Sequence, residues 1–223
     1  MIIEYINGRP LSYIKKDQKV QQQLTLTFID KINIIIELMI TLKYFEDNGF
    51  VYRDLKPSNV IITNNHDAIV IDFDRMIQLS KNDSHTIDFG SKYAAPEISE
   101  GIIKPANDIY SLGRMIYFIM IENDTTNDIS KKPLFDIYKK CTKTDIKKRP
   151  SIFKLIYKFC STFLVQTENS NICNHKDVQY ILGMIYCLDE YITRDINKSI
   201  HYLSLSANQN NQNAQFILGL IYY

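Results

Sequence analysis

The sequence predicts a mainly α-helical protein with a few short strands, and three observations carry that expectation. Across residues 24–45 apolar side chains recur every three or four positions (Phe28, Ile32, Ile35, Ile36, Met39, Leu42, Phe45), which is the period of one helix face. Two short β-branched runs, residues 60–63 and 68–71, flank Asn64-Asn65-His66-Asp67 in the pattern of a hairpin. Near the end, VQYILGMIYC (178–187) returns as AQFILGLIYY (214–223), thirty-six residues later, as in stacked pairs of helices.

Composition excludes several classes. The 223 residues carry 26 basic and 25 acidic side chains, a net charge of +1, so there is no basic surplus for nucleic acid or an anionic membrane. The longest apolar runs, 34–40 and 115–121, are too short to span a bilayer. Met1 is followed by no basic stretch and no cleavage site, so no signal peptide is expected. The four cysteines (Cys141, Cys160, Cys173, Cys187) show no C-x-x-C spacing; reduced thiols in a cytoplasmic protein are the expectation.

In chain order, residues 1–5 read as a short buried strand, followed by an Asn-Gly connection and a helix start over 11–16. The long periodic helix then ends at Asp47-Asn48-Gly49, a left-handed stop signal. Next comes YRDLKPSN, residues 52–59, and after the hairpin VIDFD, residues 70–74, with Asp72 eighteen residues beyond Asp54. A carboxylate, an ammonium group and an amide on one short loop, with a second carboxylate following, suit phosphoryl transfer. One carboxylate orients and deprotonates a hydroxyl, the cation meets the moving phosphoryl group, and the amide and second carboxylate hold Mg²⁺.

The two segments resemble the catalytic loop (H-R-D-L-x-x-x-N) and metal loop (D-F-G) of the protein kinases, in the form with Lys two residues after the Asp that is usual in serine/threonine kinases. The resemblance implies Asp54 as catalytic base, Lys56 as the γ-phosphate contact, and Asn59 and Asp72 as Mg²⁺ ligands. It makes ATP and protein substrates the partners. The opening strand resembles the hinge, where the backbone of Glu4 and Ile6 would meet adenine over Ile61, with Phe73 packing beneath the site. Tyr52 stands where the family has His. Asp74 stands where it has Gly, a place where a positive φ would be costly for Asp.

Further along, GSKYAAPEI (90–98) resembles the end of the activation segment, one residue short, with Ser91 matched to the residue that bridges the catalytic Asp and Lys. Glu97 would pair with Arg149 in a buried structural ion pair, and Asp108 would tie the central helix to the catalytic loop. Arg53 would receive a phosphate from Ser80, Ser84 or Thr86. Residues 122–138 leave less room than the family's substrate-docking helix occupies, and 151–164 would be the last helix of the lobe.

Residues 166–177 are rich in Asn and Ser and read as a linker. The repeated segments beyond resemble Sel-one-like repeats, relatives of the tetratricopeptide class, and imply protein partners. The expected organisation is therefore a kinase-like hinge and large lobe over 1–165, the linker, and helical repeats over 178–223, incomplete at the C-terminal side. The resemblance begins at the hinge, so the family's small lobe has no counterpart in these residues. The stretch by itself is expected to fall short of kinase rates. Its function is then either a serine/threonine protein kinase with a partner-binding repeat region, or a catalytically inactive kinase-like scaffold.

Overall fold

A computed structural model describes residues 6–14, 25–79, 91–122, 132–163, 174–188 and 193–223. They are mainly helical and divide into two compact units, Met1–Ile152 and Phe153–Tyr223. This division follows packing, whereas the boundaries proposed above follow sequence resemblance.

The first unit is built on helix α1, Phe28–Asp47. Its apolar stripe is buried as the period requires, with Ile32, Ile35, Ile36, Met39 and Leu42 among the core residues. Full burial of each such side chain is worth about 1.5–3 kcal/mol. The helix starts four residues later than the apolar pattern, because Thr27 caps it. The Thr27 hydroxyl accepts the Asp30 N–H at 3.1 Å and the Asp30 carboxylate accepts the Thr27 N–H at 2.8 Å. Asn48 caps the other end, and Gly49 turns the chain away at φ 75°.

Beside α1 lie two small antiparallel sheets. The first has the order β1 (Gly8–Pro10), β3 (Val60–Thr63), β4 (Ala68–Val70); the second pairs β2 (Phe50–Val51) with β5 (Ile77–Gln78). The β3–β4 hairpin is the one the sequence predicts. By contrast, Asn7-Gly8 does not make a turn: Gly8 opens β1 and lies opposite Thr63. A Cβ there would stand 2.5 Å from the Ile62 carbonyl oxygen, so only glycine allows this approach of backbones. The predicted helix after it is a 3-10 turn, Leu11–Ile14, and the predicted strand over 1–5 lies outside the described residues. Strand β5 carries no apolar alternation and was not expected.

Two polar contacts bind the hairpin to α1. Glu37 accepts the Ala68 N–H at 2.5 Å, and burial pushes its carboxyl up to about 7, with Asp67 adding to the shift against the pull of that hydrogen bond. His66, in the hairpin turn, sits at φ 67° and places Nδ1 3.0 Å from the Asp30 carboxylate.

Helix α2, Pro105–Tyr117, continues into a π-helical turn, Phe118–Glu122, and packs on α3, Lys132–Cys141. Below it the expected ion pair is present. Arg149 Nη1 and Nη2 lie 2.6 and 2.9 Å from the two oxygens of Glu97, and Arg149 Nη1 also donates to the Ala106 carbonyl at 2.9 Å. Burial would raise the Glu97 carboxyl, but the guanidinium and the Asn107 amide outweigh it and hold it low.

The second unit contains α4 (Ile152–Phe163) from its second residue on, α5 (Lys176–Cys187), α6 (Ile196–Asn208) and α7 (Gln212–Tyr222). The Tyr157 hydroxyl of α4 donates to the Met184 carbonyl of α5 at 2.8 Å. Helices α6 and α7 are capped by Asp195 and Asn211, each accepting a backbone N–H three residues on. No helix among the described residues is long and apolar enough to cross a membrane.

Candidate active site

The loop between β2 and β3 is held from below. Asp108, on the first turn of α2, accepts the backbone N–H of Tyr52 at 2.7 Å and of Arg53 at 2.8 Å, one on each carboxylate oxygen. Burial pushes its carboxyl up to about 6 against the pull of those two hydrogen bonds. With one backbone N–H donated to each of its oxygens, the carboxylate is a fixed acceptor for the loop backbone. Tyr52 is fully buried where the family has His. Its hydroxyl donates to the Ile71 carbonyl, and its ring stacks on Phe45 at 5.9 Å.

Asp54 projects from this loop and is only 5% exposed. Its Oδ2 accepts Lys56 Nζ at 2.8 Å and Asn59 Nδ2 at 3.0 Å, and Asn59 Nδ2 also donates to the Asp54 carbonyl at 3.0 Å. Asp54 Oδ1 has a looser neighbour in Arg75 Nη1 at 3.7 Å, beyond hydrogen-bond length. One oxygen is thus fixed in place, while the other accepts no hydrogen bond among the described residues.

Asn59 uses its amide nitrogen inward. This leaves Oδ1, whose described neighbour is Ser58 Oγ at a long 3.4 Å, as an acceptor for a cation. Asp72 follows Ile71, whose N–H donates to the Asn59 carbonyl at 3.0 Å, so the second carboxylate is anchored one residue from the first loop. It is solvent-exposed. A carboxylate and an amide oxygen form a hard donor set suited to Mg²⁺, which takes few protein ligands and completes its shell with phosphates and water. The residues present fit such an ion.

Backbone strain marks the same two segments. Arg53 (φ 68°) and Asp72 (φ 62°) occupy the left-handed region, at a cost of order 1 kcal/mol or more each. Asp74, expected to bear such strain in place of glycine, is not among the residues with positive φ. Phe73 packs edge-on to Phe45 and Tyr52 at 6.0 and 5.9 Å, closing an aromatic cluster under the loop.

Among the remaining predicted residues, Ile61 lies on β3 opposite Pro10 and Ile69, while Ile6 precedes β1 and is partly buried. Glu4 lies outside the described residues, as do Ser80, Ser84 and Thr86. Ser91 is not the expected bridge, since its Oγ accepts the Tyr93 N–H at 3.2 Å within its own turn. The residue that sequence reasoning missed is Arg75. Its carbonyl accepts Arg53 Nε at 2.6 Å and its guanidinium faces Asp54, a placement that no local pattern signals.

The family model of the protein kinase domain matches residues 1–180. A probable serine/threonine-protein kinase of Dictyostelium discoideum is 29% identical over 167 residues, covering 73% of this chain and 11% of the relative. The serine/threonine-protein kinase PknG of Mycobacterium leprae is 30% identical over 128 residues, 57% of this chain and 16% of the relative. A probable cAMP-dependent protein kinase catalytic subunit of Encephalitozoon cuniculi is 28% identical over 137 residues, 60% of this chain and 40% of the relative. The chain thus spans well under half the length of these relatives.

Proposed function

The chain belongs to the protein kinase domain family, and we propose that it serves the transfer of the ATP γ-phosphoryl group to serine or threonine hydroxyls of proteins. The observation that carries this reading is the bonded cluster Asp54–Lys56–Asn59 on a loop whose backbone is fixed by Asp108. Asp54 Oδ1 would orient the acceptor hydroxyl and take its proton as the new P–O bond forms. Lys56 would offset the charge of the transferred group, reaching it from its ion pair with Asp54. Asn59 Oδ1 and the Asp72 carboxylate would hold Mg²⁺, which when bound neutralises phosphate charge. Ile61, with the backbone of Glu4 and Ile6, would take the adenine. The reaction depends on positioning and electrostatics, which is the service a strained, over-determined loop provides.

In this reading the C-terminal helices are a Sel-one-like repeat region that binds protein partners, and the setting is the cytoplasm. Cys141, buried and without a disulfide, accords with a reducing compartment.

The test combines nucleotide binding with transfer. Mg²⁺ and ATP should raise the melting temperature of the protein, and Asp72→Asn should reduce that rise. Asp54→Asn should leave the rise intact while abolishing phosphate transfer to a generic basic protein. If Mg²⁺ and ATP do not bind, the alternative holds, a kinase-like scaffold without catalysis.

A further inference from the structure

Asp54 faces two cations, one at each carboxylate oxygen. Lys56 Nζ bonds Oδ2 at 2.8 Å, whereas Arg75 Nη1 stands 3.7 Å from Oδ1. The second contact is too long for a hydrogen bond, and the Arg75 side chain is 36% exposed, so the contact adds little to stability. Lys56 already balances the charge of Asp54. Pairing with Asp54 therefore does not account for a guanidinium at this place, and Ser91, expected to bridge Asp54 and Lys56, bonds within its own turn instead.

The root of this side chain is fixed, although its head is partly exposed. The Arg75 carbonyl accepts Arg53 Nε at 2.6 Å, and the Arg53 N–H is held in turn by Asp108. The Met76 N–H donates to the Phe73 carbonyl at 2.9 Å, which closes a turn between Asp72 and β5, where Ile77 pairs with Val51. These anchors use only backbone atoms of the segment that carries Arg75. They leave the guanidinium, with its five donors, to be positioned beside Oδ1 by the fold.

We infer that Arg75 is a second cationic contact for the γ-phosphoryl group, on the Oδ1 side of Asp54. An acceptor hydroxyl bonded to Oδ1 lies about 2.7 Å from it, and the phosphorus it attacks about 3–3.5 Å beyond. A guanidinium 3.7 Å from Oδ1, on a long side chain, reaches the phosphoryl oxygens at that separation. As the bond from hydroxyl oxygen to phosphorus forms and the bond from phosphorus to ADP breaks, the proton passes to Asp54 Oδ1. Arg75 and Lys56 then offset the charge of the phosphoryl oxygens from two sides. The flat fork of Arg75 matches two of those oxygens at once, which the point charge of Lys56 does not. The inference rests on the phosphoryl-transfer reading and adds to it a residue that no local pattern in the sequence marks.

The test is a binding titration of the full chain with two ligands, Mg²⁺ with ADP and Mg²⁺ with the β,γ-imido analogue of ATP. Arg75→Ala should weaken the analogue about tenfold and leave ADP within about twofold, since ADP lacks the group that Arg75 meets. The melting temperature without ligand should stay near that of the parent, because the bond to Arg53 uses the Arg75 carbonyl. Arg75→Gln, which keeps most of the side chain and drops its charge, should give the same contrast between the two nucleotides. In the Asp54→Asn background the selective loss should persist. If it vanishes there, Arg75 acts only by offsetting Asp54, and the inference is overturned. Equal loss of both nucleotides, or loss of neither, overturns it while leaving the phosphoryl-transfer reading in place. A parent chain that binds neither nucleotide removes that reading and this inference together.

Discussion

Asp108 accepts the backbone N–H of Arg53 in a 2.8 Å hydrogen bond, so that a buried carboxylate on α2 secures the left-handed residue just before Asp54. Asparagine in its place keeps one acceptor oxygen and sets an N–H₂ group against a backbone donor. Leaving a buried donor unsatisfied costs about 1–3 kcal/mol. Asp108→Asn is therefore expected to lower the urea midpoint by that equivalent, and to reduce transfer more than nucleotide binding.

The Glu97–Arg149 pair should behave as structure, not chemistry. Replacing Arg149 with Leu strands the Glu97 carboxylate, buried at 6% exposure, and removes the donor to the Ala106 carbonyl. The expected loss is about 3–5 kcal/mol, and the double variant Glu97→Met/Arg149→Leu should recover part of it, because no lone charge then remains buried. Denaturant unfolding of the three variants checks both statements.

Glu37 gives the fold a pH dependence of definite sign. Its carboxyl stands at about 7 in the folded chain, above its ordinary value, so the folded state prefers the protonated form. Stability from this site is present below the ordinary carboxyl range and is lost as pH rises towards about 7. Glu37→Gln removes the buried charge while an amide oxygen still accepts the Ala68 N–H. The variant should match the parent near pH 5 and exceed it on the order of 1–2 kcal/mol near pH 8, after allowance for partial solvent exposure. Unfolding curves at several pH values decide it.

How much of this was legible depends on the range of the interaction. Helix α1 and the β3–β4 hairpin declare themselves through local periodicity and turn residues. The Asp54–Lys56–Asn59 cluster is equally local, three side chains on one loop whose spacing already brings them together. The Glu97–Arg149 and Asp108 contacts span fifty residues or more. They were visible only through family resemblance. What escaped depends on tertiary approach. Gly8 reads as a turn residue until β3 comes within touching distance, and Arg75 has no sequence mark to show that it faces Asp54. The left-handed strain falls on Arg53 and Asp72, not on Asp74, because backbone conformation is set by the contacts at either end of each segment.

Arg53 offers a regulatory handle. Its Nε donates to the Arg75 carbonyl, while its buried Nη1 has no hydrogen-bond partner among the described residues. A guanidinium with that donor beside the catalytic loop suits a phosphate on Ser80, Ser84 or Thr86, which would form charge-assisted bonds with it. Changing all three to alanine should lower activity, and the activity of the Arg53→Lys variant should be insensitive to phosphatase. Unchanged activity in the triple variant would refute the assignment.

The last prediction separates the two roles of Asn59. Its amide nitrogen steadies Asp54 from within, and its oxygen is the group offered to Mg²⁺. Asn59→Ala removes both roles. Asn59→Asp keeps an oxygen for the cation but deletes the two N–H contacts and sets a second carboxylate against Asp54. Without metal, like charges at this distance repel in a site largely closed to water, so Asn59→Asp should melt below the parent. A divalent cation relieves that repulsion, and ligand that binds only the folded state stabilises it in proportion to affinity. With saturating nucleotide, the Mg²⁺-induced rise in melting temperature should therefore be largest in Asn59→Asp, intermediate in the parent and smallest in Asn59→Ala. Transfer should fall in both variants, because neither holds Asp54 Oδ2 through the Asn59 amide. A parent-sized Mg²⁺ response in Asn59→Ala would remove this residue from the metal site, leaving it only the inner role.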